Sequence, residues 1–264
     1  MFFKRKLIAQ INEQTAKINE HLNTIENKLD PILIKHFYPS HYFGHEYQSF
    51  GPYTYAQHGE DLIFLNIFKI LGIEKPTYID IGAHDPIVIS NTALLYKRGC
   101  RGINIEANPF LIEKFKQERP DDINLNIGIS DTEGILDFYM IDSQSPVNTF
   151  DKSIAEKTVQ ERPHLKINEI RKIKVLTLQQ IIDEYSHSKF PDLLTIDIEG
   201  FDYKVLKSAD FQTTYPKVIC VEVNDQEFPR MVSLMKSRSF LPYIRTISNT
   251  IFLHESCIRI IFRN

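Results

Sequence analysis

Four carboxylates occur where predicted buried strands end, and each could bind a ligand or take up a proton. Asp80 and Glu106 lie at the ends of two consecutive predicted strands, and Asp197 and Glu199 follow a later one. Parallel strands direct their carboxyl ends into one crevice, so we expect these acids to share it. Because an unpaired buried carboxylate is unfavourable, each needs a donor, a cation or a ligand beside it.

The spacing around the first two acids suits the nucleoside part of a cofactor. Gly82 follows Asp80 and allows a tight turn at which the backbone approaches a ligand. Glu106 ends the next strand, where an acid can accept hydrogen bonds from both hydroxyls of a ribose. The small residues from Gly128 to Asp131 suit the edge of an adenine. The GxGxxG pattern of dinucleotide sites is absent at the first strand, which disfavours NAD.

The elements that position these acids follow from the pattern of apolar residues beyond Gln57. Strand-like runs alternate with amphipathic helices, which predicts a doubly wound, mostly parallel α/β sheet covered on both faces. We expect strands at 77–81, 102–105, 124–129, 135–140, 193–196, 218–223, 243–246 and 250–254, and helices at 61–71, 91–97, 109–118, 178–185 and 203–208. The last two strands flank Ser248-Asn249, which predicts a hairpin with an antiparallel strand at the sheet edge.

An N-terminal stretch has a different pattern from the rest of the chain. Apolar residues recur at spacings of three and four from Ile8 to Ile32, and Asp30-Pro31 ends or kinks the helix that they predict. That helix of about seven turns either lies along its own domain or pairs with a second copy as a coiled coil, making a homodimer. We therefore expect an N-terminal helical extension with a linker in residues 1–50 and one catalytic domain in residues 51–264.

Composition limits the classes of protein to which the chain can belong. Its 264 residues are 42% hydrophobic and 25% charged, enough for one large core. The formal net charge of −3 lacks the positive excess of a nucleic-acid-binding protein. No signal peptide or apolar run of about 18 residues is visible. Cys100, Cys220 and Cys257 lack the close spacing of a zinc or redox site. We expect a cytoplasmic protein with reduced cysteines and no membrane span.

The motifs of this sequence resemble those of FkbM-type methyltransferases, which are class I enzymes that use S-adenosylmethionine and often modify sugars or natural products. The similarity runs from Gln57 to about Phe252. Its motifs are QHGED at 57–61, DIGA at 80–83, SNT at 90–92, EANP at 106–109, SD at 130–131 and DIEG at 197–200. The family often has Asn where this chain has His84. Together the motifs imply the class I, Rossmann-like fold.

The resemblance also implies how S-adenosylmethionine is held. The turn from Asp80 to His84 would face the methionine part of the cofactor, Glu106 its ribose, and the turn from Gly128 to Asp131 its adenine. The full set of expected cofactor-binding residues is Gln57, Glu60, Asp80, Gly82, Ala83, His84, Glu106, Ala107, Asn108, Gly128, Ile129, Ser130, Asp131 and Asp197.

Methyl transfer is an in-line displacement, so the protein must align an acceptor oxygen and manage its proton. Asp197 is the first candidate for the base. Glu199 and His84 compete for that role, because a histidine takes up a proton near neutral pH. A divalent cation, Mg²⁺ or Mn²⁺, is a separate hypothesis, since hard cations prefer several oxygen ligands. The ligands that we expect for it are Asp197, Glu222, Asn224 and Asp225.

Residues 142–172 have no clear place in the core pattern and include a mixed-charge helix at 153–161. We expect this region to cover the acceptor, with cations available to a phosphate. Those cations are Lys152, Arg162, Arg171 and Lys172. By resemblance, the chain is an O-methyltransferase for a sugar or nucleotide sugar in surface-polysaccharide assembly. The alternatives are a lipid or secondary-metabolite methyltransferase, and a non-catalytic coiled-coil assembly protein with a degenerate cofactor fold.

Overall fold

The computed structural model describes residues 54–141, 145 and 147–261. The expected N-terminal helix and its coiled-coil pairing lie outside these residues and stay predictions. Among the described helices, none is long and apolar enough to cross a membrane. Cys100, Cys220 and Cys257 are buried, and none of them forms a disulfide.

Strands and helices alternate through most of the described residues. The strands are β1 (Tyr78–Ile81), β2 (Gly102–Ile105), β3 (Ile123–Leu125), β4 (Gly128–Ser130), β5 (Gly134–Met140), β6 (Glu169–Thr177), β7 (Leu193–Ile196), β8 (Val218–Glu222), β9 (Phe240–Arg245) and β10 (Asn249–His254). The helices are α1 (Glu60–Ile70), α2 (Ala93–Lys97), α3 (Pro109–Glu118), α4 (Lys152–Glu161), α5 (Leu178–Tyr185), α6 (Asp202–Ser208), α7 (Phe228–Lys236) and α8 (Glu255–Ile261).

A seven-stranded sheet with the order β3-β2-β1-β7-β8-β10-β9 lies at the centre of the fold. The first five strands of that order are parallel, and β10 is antiparallel to both of its neighbours. The predicted hairpin is thus present, and it adds the antiparallel part at one edge. The strand order reverses between β1 and β7, which is where doubly wound sheets bind ligands. The predicted fold class, a doubly wound and mostly parallel sheet, is confirmed.

The central strands are buried on both faces of the sheet, and a separate hydrophobic core covers each face. Ile79 and Leu194 face a core that includes α5, α6 and α7, while Tyr78 and Leu193 face a second core that includes α1 and α8. Successive residues of a strand point to opposite faces, so adjacent apolar residues serve both cores. This double burial explains why the parallel strands are almost continuously apolar in sequence.

A second, three-stranded sheet with the order β4-β6-β5 lies beyond β3 in the chain. It corrects the prediction of one strand over 124–129, because β3 and β4 belong to different sheets. Between them, the Asn126 side chain donates to the carbonyls of Glu106 and Ala107 at 2.9 and 3.0 Å and so redirects the chain. Strand β6 was not predicted, because lysines and arginines interrupt its apolar positions. The helix expected at 153–161 is present as α4.

A row of polar side chains crosses one face of the central sheet. Asn104, Asp80, Thr195 and Cys220 occupy matched positions on four neighbouring strands. Matched positions of paired strands point to the same face, so these side chains lie side by side. All four are buried and therefore need partners within the protein.

Arg119, which follows α3, supplies the positive charge for one end of this row. Its guanidinium lies 2.9 Å from Asp122 and donates to the Tyr78 hydroxyl at 2.8 Å and to Thr92 Oγ1 at 3.0 Å. Asp122 also accepts hydrogen bonds from the Tyr78 hydroxyl at 2.6 Å and from Asn104 Nδ2 at 3.0 Å. The side chains of Arg119 and Asp122 are only 1% and 0% exposed. This buried ion pair ties β1 and β2 to the segments that follow them.

The substitution Asp122→Asn should lower the free energy of unfolding by about 3–5 kcal/mol, because it leaves the Arg119 charge buried and unpaired. Asp121→Asn is the matched control. Asp121 is 61% exposed, and its ion pair with Arg101 lies at the surface, so its loss should change stability by less than about 1 kcal/mol. Urea unfolding of both variants measures the difference. Equal effects of the two substitutions would contradict this account of the network.

Candidate functional site

A cleft opens where the strand order reverses, at the carboxyl ends of β1, β2 and β7. Its lining combines polar groups with apolar side chains, as the lining of small-molecule sites does. Residues of β4, β5 and the segment after β5 form one of its walls. The predicted site residues that line it are Gly82, His84, Glu106, Ala107, Gly128, Ile129, Asp197 and Glu199.

Gly82 brings three strand ends together at the floor of the cleft. Its φ of 75° lies in the left-handed region, which favours glycine. A Cβ at this position would lie 1.8 Å from the carbonyl oxygen of Asp197, so a side chain cannot be placed there without movement. The amide of Gly82 donates to the carbonyl of Ile105 at 2.9 Å. The ends of β1, β2 and β7 therefore meet at a position that requires glycine.

Glu106 presents a buried carboxyl group to the cleft. One of its oxygens accepts a hydrogen bond from the amide of His84 at 2.8 Å, and the other accepts from the amide of Asn108 at 2.7 Å. Burial raises the pKa of Glu106 to about 7, although these two hydrogen bonds lower it in part. Each oxygen keeps acceptor capacity for a ligand hydroxyl. Glu106 thus presents to the cleft oxygens that can accept further hydrogen bonds.

Asp80 lies behind the cleft rather than in its lining. Its carboxylate accepts a hydrogen bond from Thr92 Oγ1 at 2.6 Å, on the side of the sheet where Arg119 lies. Burial raises its pKa to about 6, and the hydrogen bond from Thr92 and the charge of Arg119 oppose that change. The structure thus places this acid in the buried polar row. Glu106, which follows the end of β2, instead reaches the cleft.

Several other expected cofactor residues also make contacts away from the cleft. The Asn108 side chain caps α3 by accepting from the amide of Phe110 at 3.0 Å. Ser130 donates to the neighbouring Asp131 at 3.1 Å. Of the expected residues, those outside the described lining are Gln57, Glu60, Asp80, Ala83, Asn108, Ser130 and Asp131.

A cluster of three carboxyl groups, here called the carboxyl cluster, lies at the ends of β7 and β8. Asp197, Glu199 and Glu222 each place one oxygen within 4.8 Å of the others. Glu199 turns back toward Asp197 through left-handed backbone, with φ of 48° at Glu199 and 99° at Gly200. Asp202 holds this turn by accepting hydrogen bonds from two of its amides at 3.2 and 3.3 Å.

The carboxyl cluster retains a proton at unusually high pH. Asp197 as a residue is exposed at the cleft, but the protein groups packed around its carboxyl reduce the solvation of its charge and raise its pKa well above the usual range. The charges of Glu222 and Glu199 raise it further. Burial, Glu222 and Asp202 raise the pKa of Glu199 to about 8, while Arg162 lowers it. A group that titrates in this range can exchange a proton with a ligand near neutral pH.

The same three carboxyl groups could hold a divalent cation, since Mg²⁺ and Mn²⁺ bind carboxylate oxygens. The set differs from the predicted one, because Glu199 joins Asp197 and Glu222. The Asn224 side chain instead accepts from two backbone amides of its own turn at 3.0 Å each. Asp225 is 92% exposed and pairs with an arginine of β9 at 2.6 Å. The Asn224 side chain is thus occupied by its own turn and the Asp225 side chain by its ion pair, and neither belongs to the cluster of three carboxyl groups.

Residues 147–162, here called the cover segment, lie over one end of the cleft. Thr149 Oγ1 donates to the carbonyl of Glu199 at 3.1 Å. The ring of Phe150 packs against Phe138 and Phe201, with centroids 4.8 and 6.3 Å apart. These contacts join the cover segment to the turn that carries Glu199, and its expected role over the acceptor stays a prediction.

Sequence reasoning left the apolar wall of the cleft unassigned. Ile127, Phe138, Asn148, Thr149 and Phe150 line the cleft beside the predicted residues. Their only local signal is the stretch Asn148-Thr149-Phe150, which precedes a helix capped by an aspartate. The pairing of β5 with β6 places Phe138, while backbone hydrogen bonds between Thr149 and Tyr139 of β5 place the stretch 148–150. Both pairings join segments that are not adjacent in sequence, and no local pattern specifies them.

Comparison with known proteins gives one family and several similar solved structures. A family model described as the methyltransferase FkbM domain matches residues 80–242. No curated protein gives a significant match. A TehB-like SAM-dependent methyltransferase from Corynebacterium glutamicum is similar at 11% identity and a TM-score of 0.38, covering 75% of this chain and 88% of that chain. A precorrin-6y C5,15-methyltransferase from Geobacter metallireducens is similar at 10% identity and a TM-score of 0.35, covering 79% and 93%.

The substitution Gly82→Ala should lower the free energy of unfolding by about 2–5 kcal/mol, because it adds left-handed strain and forces the Asp197 backbone away. Gly134→Ala is the control, since a Cβ there meets no atom within 4 Å, and its effect should stay within about 0.5 kcal/mol. Thermal or urea unfolding measures both. A Gly82→Ala protein as stable as the control would show that the strand ends do not pack as described.

Proposed function

This chain belongs to the methyltransferase FkbM domain family, and we propose that it transfers a methyl group from S-adenosylmethionine to a hydroxyl of a sugar or nucleotide sugar. The reaction would serve surface-polysaccharide assembly. One observation carries the proposal. The carboxyl cluster of Asp197, Glu199 and Glu222 adjoins the cleft and can take up the proton of an acceptor hydroxyl.

The chemistry of the lining fits S-adenosylmethionine. Glu106 offers acceptor capacity to ribose hydroxyls while it keeps its two backbone hydrogen bonds. Ile129 and Phe138 provide apolar surface for an adenine. Gly82 and His84 bring the backbone after β1 to the cleft, where the methionine part would bind. When bound, S-adenosylmethionine supplies an electrophilic methyl group on a positively charged sulfur.

Asp197 is our choice for the base, because it lies at the end of β7 and lines the cleft. Its raised pKa matches a group that must hold a proton after transfer. Glu199 shares the cluster and is the second choice, with a pKa of about 8. His84 lines the cleft beside Glu106, so we assign it to the cofactor side.

The contacts of the predicted phosphate-binding cations favour an uncharged sugar. Lys152, Arg171 and Lys172 each lie within 2.6–3.5 Å of a carboxylate. Arg162 lies near enough to Glu199 to lower its pKa. The carboxyl cluster repels phosphate and accepts hydrogen bonds from hydroxyls. A neutral sugar therefore suits this end of the cleft, and a nucleotide sugar would need to direct its phosphates toward Arg162.

A lipid or secondary metabolite is the alternative acceptor, which the rings of Phe138 and Phe150 would accommodate. Family membership argues against a non-catalytic assembly protein. A cytoplasmic location and a homodimer formed through the N-terminal helix belong to the same proposal. The homodimer depends on a sequence pattern outside the described residues.

The substitution Glu106→Gln should weaken S-adenosylmethionine binding at least about tenfold, because an amide nitrogen cannot accept a hydrogen bond from a ribose hydroxyl. Glu113→Gln is the control, since Glu113 lies exposed on α3, the helix that begins shortly after Glu106. Calorimetry measures both. Because the pKa of Glu106 is about 7, wild-type affinity should rise as pH increases from 6 to 8, and the Glu106→Gln affinity should not. The same pH dependence in both proteins would exclude Glu106 as the ribose acceptor.

The substitution Asp197→Asn should lower kcat at least about 100-fold while S-adenosylmethionine affinity changes less than about threefold, because it removes the base. Label transfer to neutral glycosides, nucleotide sugars and lipids measures the rate and tests the substrate class. Wild-type kcat should rise with pH through the neutral range, since the base must be ionised and burial and the neighbouring carboxylates hold the pKa of Asp197 well above its usual range. Asp183→Asn on the exposed side of α5 is the control. Unchanged kcat in Asp197→Asn would contradict the assignment.

The same assay decides whether the carboxyl cluster works with a metal ion. If Asp197, Glu199 and Glu222 hold a cation, chelation should abolish transfer, and Mg²⁺ or Mn²⁺ should restore it. If they act only as proton acceptors, full activity should remain after chelation.

A further inference from the structure

Two neighbouring buried carboxylates begin α1, and their partners lie in different parts of the chain. The partners of Asp61 lie close to it in sequence. Its carboxylate accepts hydrogen bonds from the Thr54 hydroxyl and from the amides of Tyr55 and Leu62. Glu60 accepts from side chains that lie 186 and 189 residues further along the chain. Both residues are 0% exposed. Glu60 alone of the two therefore joins the start of the domain to its end.

The distant partners of Glu60 belong to the turn between β9 and β10. Glu60 Oε1 accepts from Thr246 Oγ1 at 2.7 Å and from Asn249 Nδ2 at 3.0 Å, while Oε2 accepts from the amide of His58 at 2.9 Å. His58 Nε2 lies 3.3 Å from Ser248 Oγ. The turn is closed by the Thr246 amide, which donates to the Asn249 carbonyl at 2.8 Å. We call these five residues the Glu60 clamp.

The clamped turn lies directly against the end of β8. The Ser248 carbonyl accepts a hydrogen bond from the amide of Val223 at 3.0 Å. Asn249 is the strand partner of Glu222 in the antiparallel pair of β10 and β8. Glu222 belongs to the carboxyl cluster. A shift of the turn would therefore move the backbone that carries one of the three clustered carboxyl groups.

We propose that Glu60 is a positioning residue for methyl transfer, whose buried carboxylate fixes the turn between β9 and β10 and thereby the place of Glu222 in the carboxyl cluster. This inference rests on the proposed function of that cluster. It differs from the cofactor contact that the sequence predicts for Glu60, because Glu60 does not line the described cleft. Glu60 also lies outside the region that the family model matches.

The substitution Glu60→Gln tests the inference, because it keeps the size of the side chain but replaces one acceptor oxygen by a donor. The new amide group of Gln must face either the His58 amide or the side chains of Thr246 and Asn249. The groups on both sides already donate hydrogen bonds to Glu60, so one hydrogen bond is replaced by two opposed donors. We expect faster hydrogen exchange at the amides of Val223 and Thr246, by about tenfold or more. We also expect kcat to fall roughly 10- to 100-fold, since small misplacements of reacting groups are costly. Affinity for S-adenosylmethionine should change less than about threefold.

Two further variants separate positioning from a general loss of folding. Asp61→Asn removes a charge from the neighbouring buried site and should leave exchange at Val223 and Thr246 unchanged. In Glu60→Gln/Asn249→Asp, the amide and the carboxylate exchange places, so their hydrogen bond is restored. This double variant should recover slow exchange and at least about a third of the wild-type kcat.

A loss of S-adenosylmethionine affinity in Glu60→Gln, with unchanged exchange at the turn, would overturn the proposal in favour of a cofactor contact. Equal exchange changes in Glu60→Gln and Asp61→Asn would reduce Glu60 to a structural residue. Exchange and cofactor affinity are measured without an acceptor. Failure of the wild-type protein to methylate any acceptor would therefore count against the proposed function, while these two measurements would still decide the role of Glu60.

Discussion

The ion pair of the buried Arg119 guanidinium with Asp122 is the interaction on which the half of the cleft at β1 and β2 depends. The guanidinium balances the charge of Asp122 and donates to Thr92, which in turn donates to Asp80. Without it, two carboxylates would be buried beneath β1 and β2 at a cost of several kcal/mol each. With it, both strands are tied to the segments that follow them, and the turn at Gly82 extends from a rigid base. A site built on fixed strands keeps its geometry better than one built on loops.

Most of the fold could be predicted because the central strands and helices carry strong local signals. Strands buried on both faces are almost continuously apolar, and this pattern located β1, β2, β7 and β8 within about a residue of their observed bounds. The pattern failed where pairing is decided at a distance. Residues 124–129 look like one strand, but Asn126 ends one sheet and allows the next to begin. Strand β6 gains its stability from two partners that are not adjacent to it in sequence.

The sequence located the acids of the site better than the directions of their side chains. Glu106 and Asp197 come one residue after their strands end and reach the cleft, whereas Asp80 lies within β1 and points into the polar row. Because side chains alternate along a strand, a difference of one residue decides which of these environments an acid enters. Glu199 joins the cluster through a positive φ, which is uncommon for a glutamate and leaves no local signal in the sequence.

The mutual repulsion of Asp197, Glu199 and Glu222 makes the protonation of the carboxyl cluster sensitive to charge in the adjoining cleft. Burial and the neighbouring charges raise the pKa of Asp197 and of Glu199, so the cluster holds a proton when nothing positive lies nearby. A positive charge in the adjoining cleft favours the ionised form of the cluster, which is the form that accepts a proton. In the proposed reaction, methyl transfer removes that positive charge and thereby raises the proton affinity of the cluster. The carboxyls would therefore take up the proton of the acceptor most strongly at the moment when the acceptor must lose it.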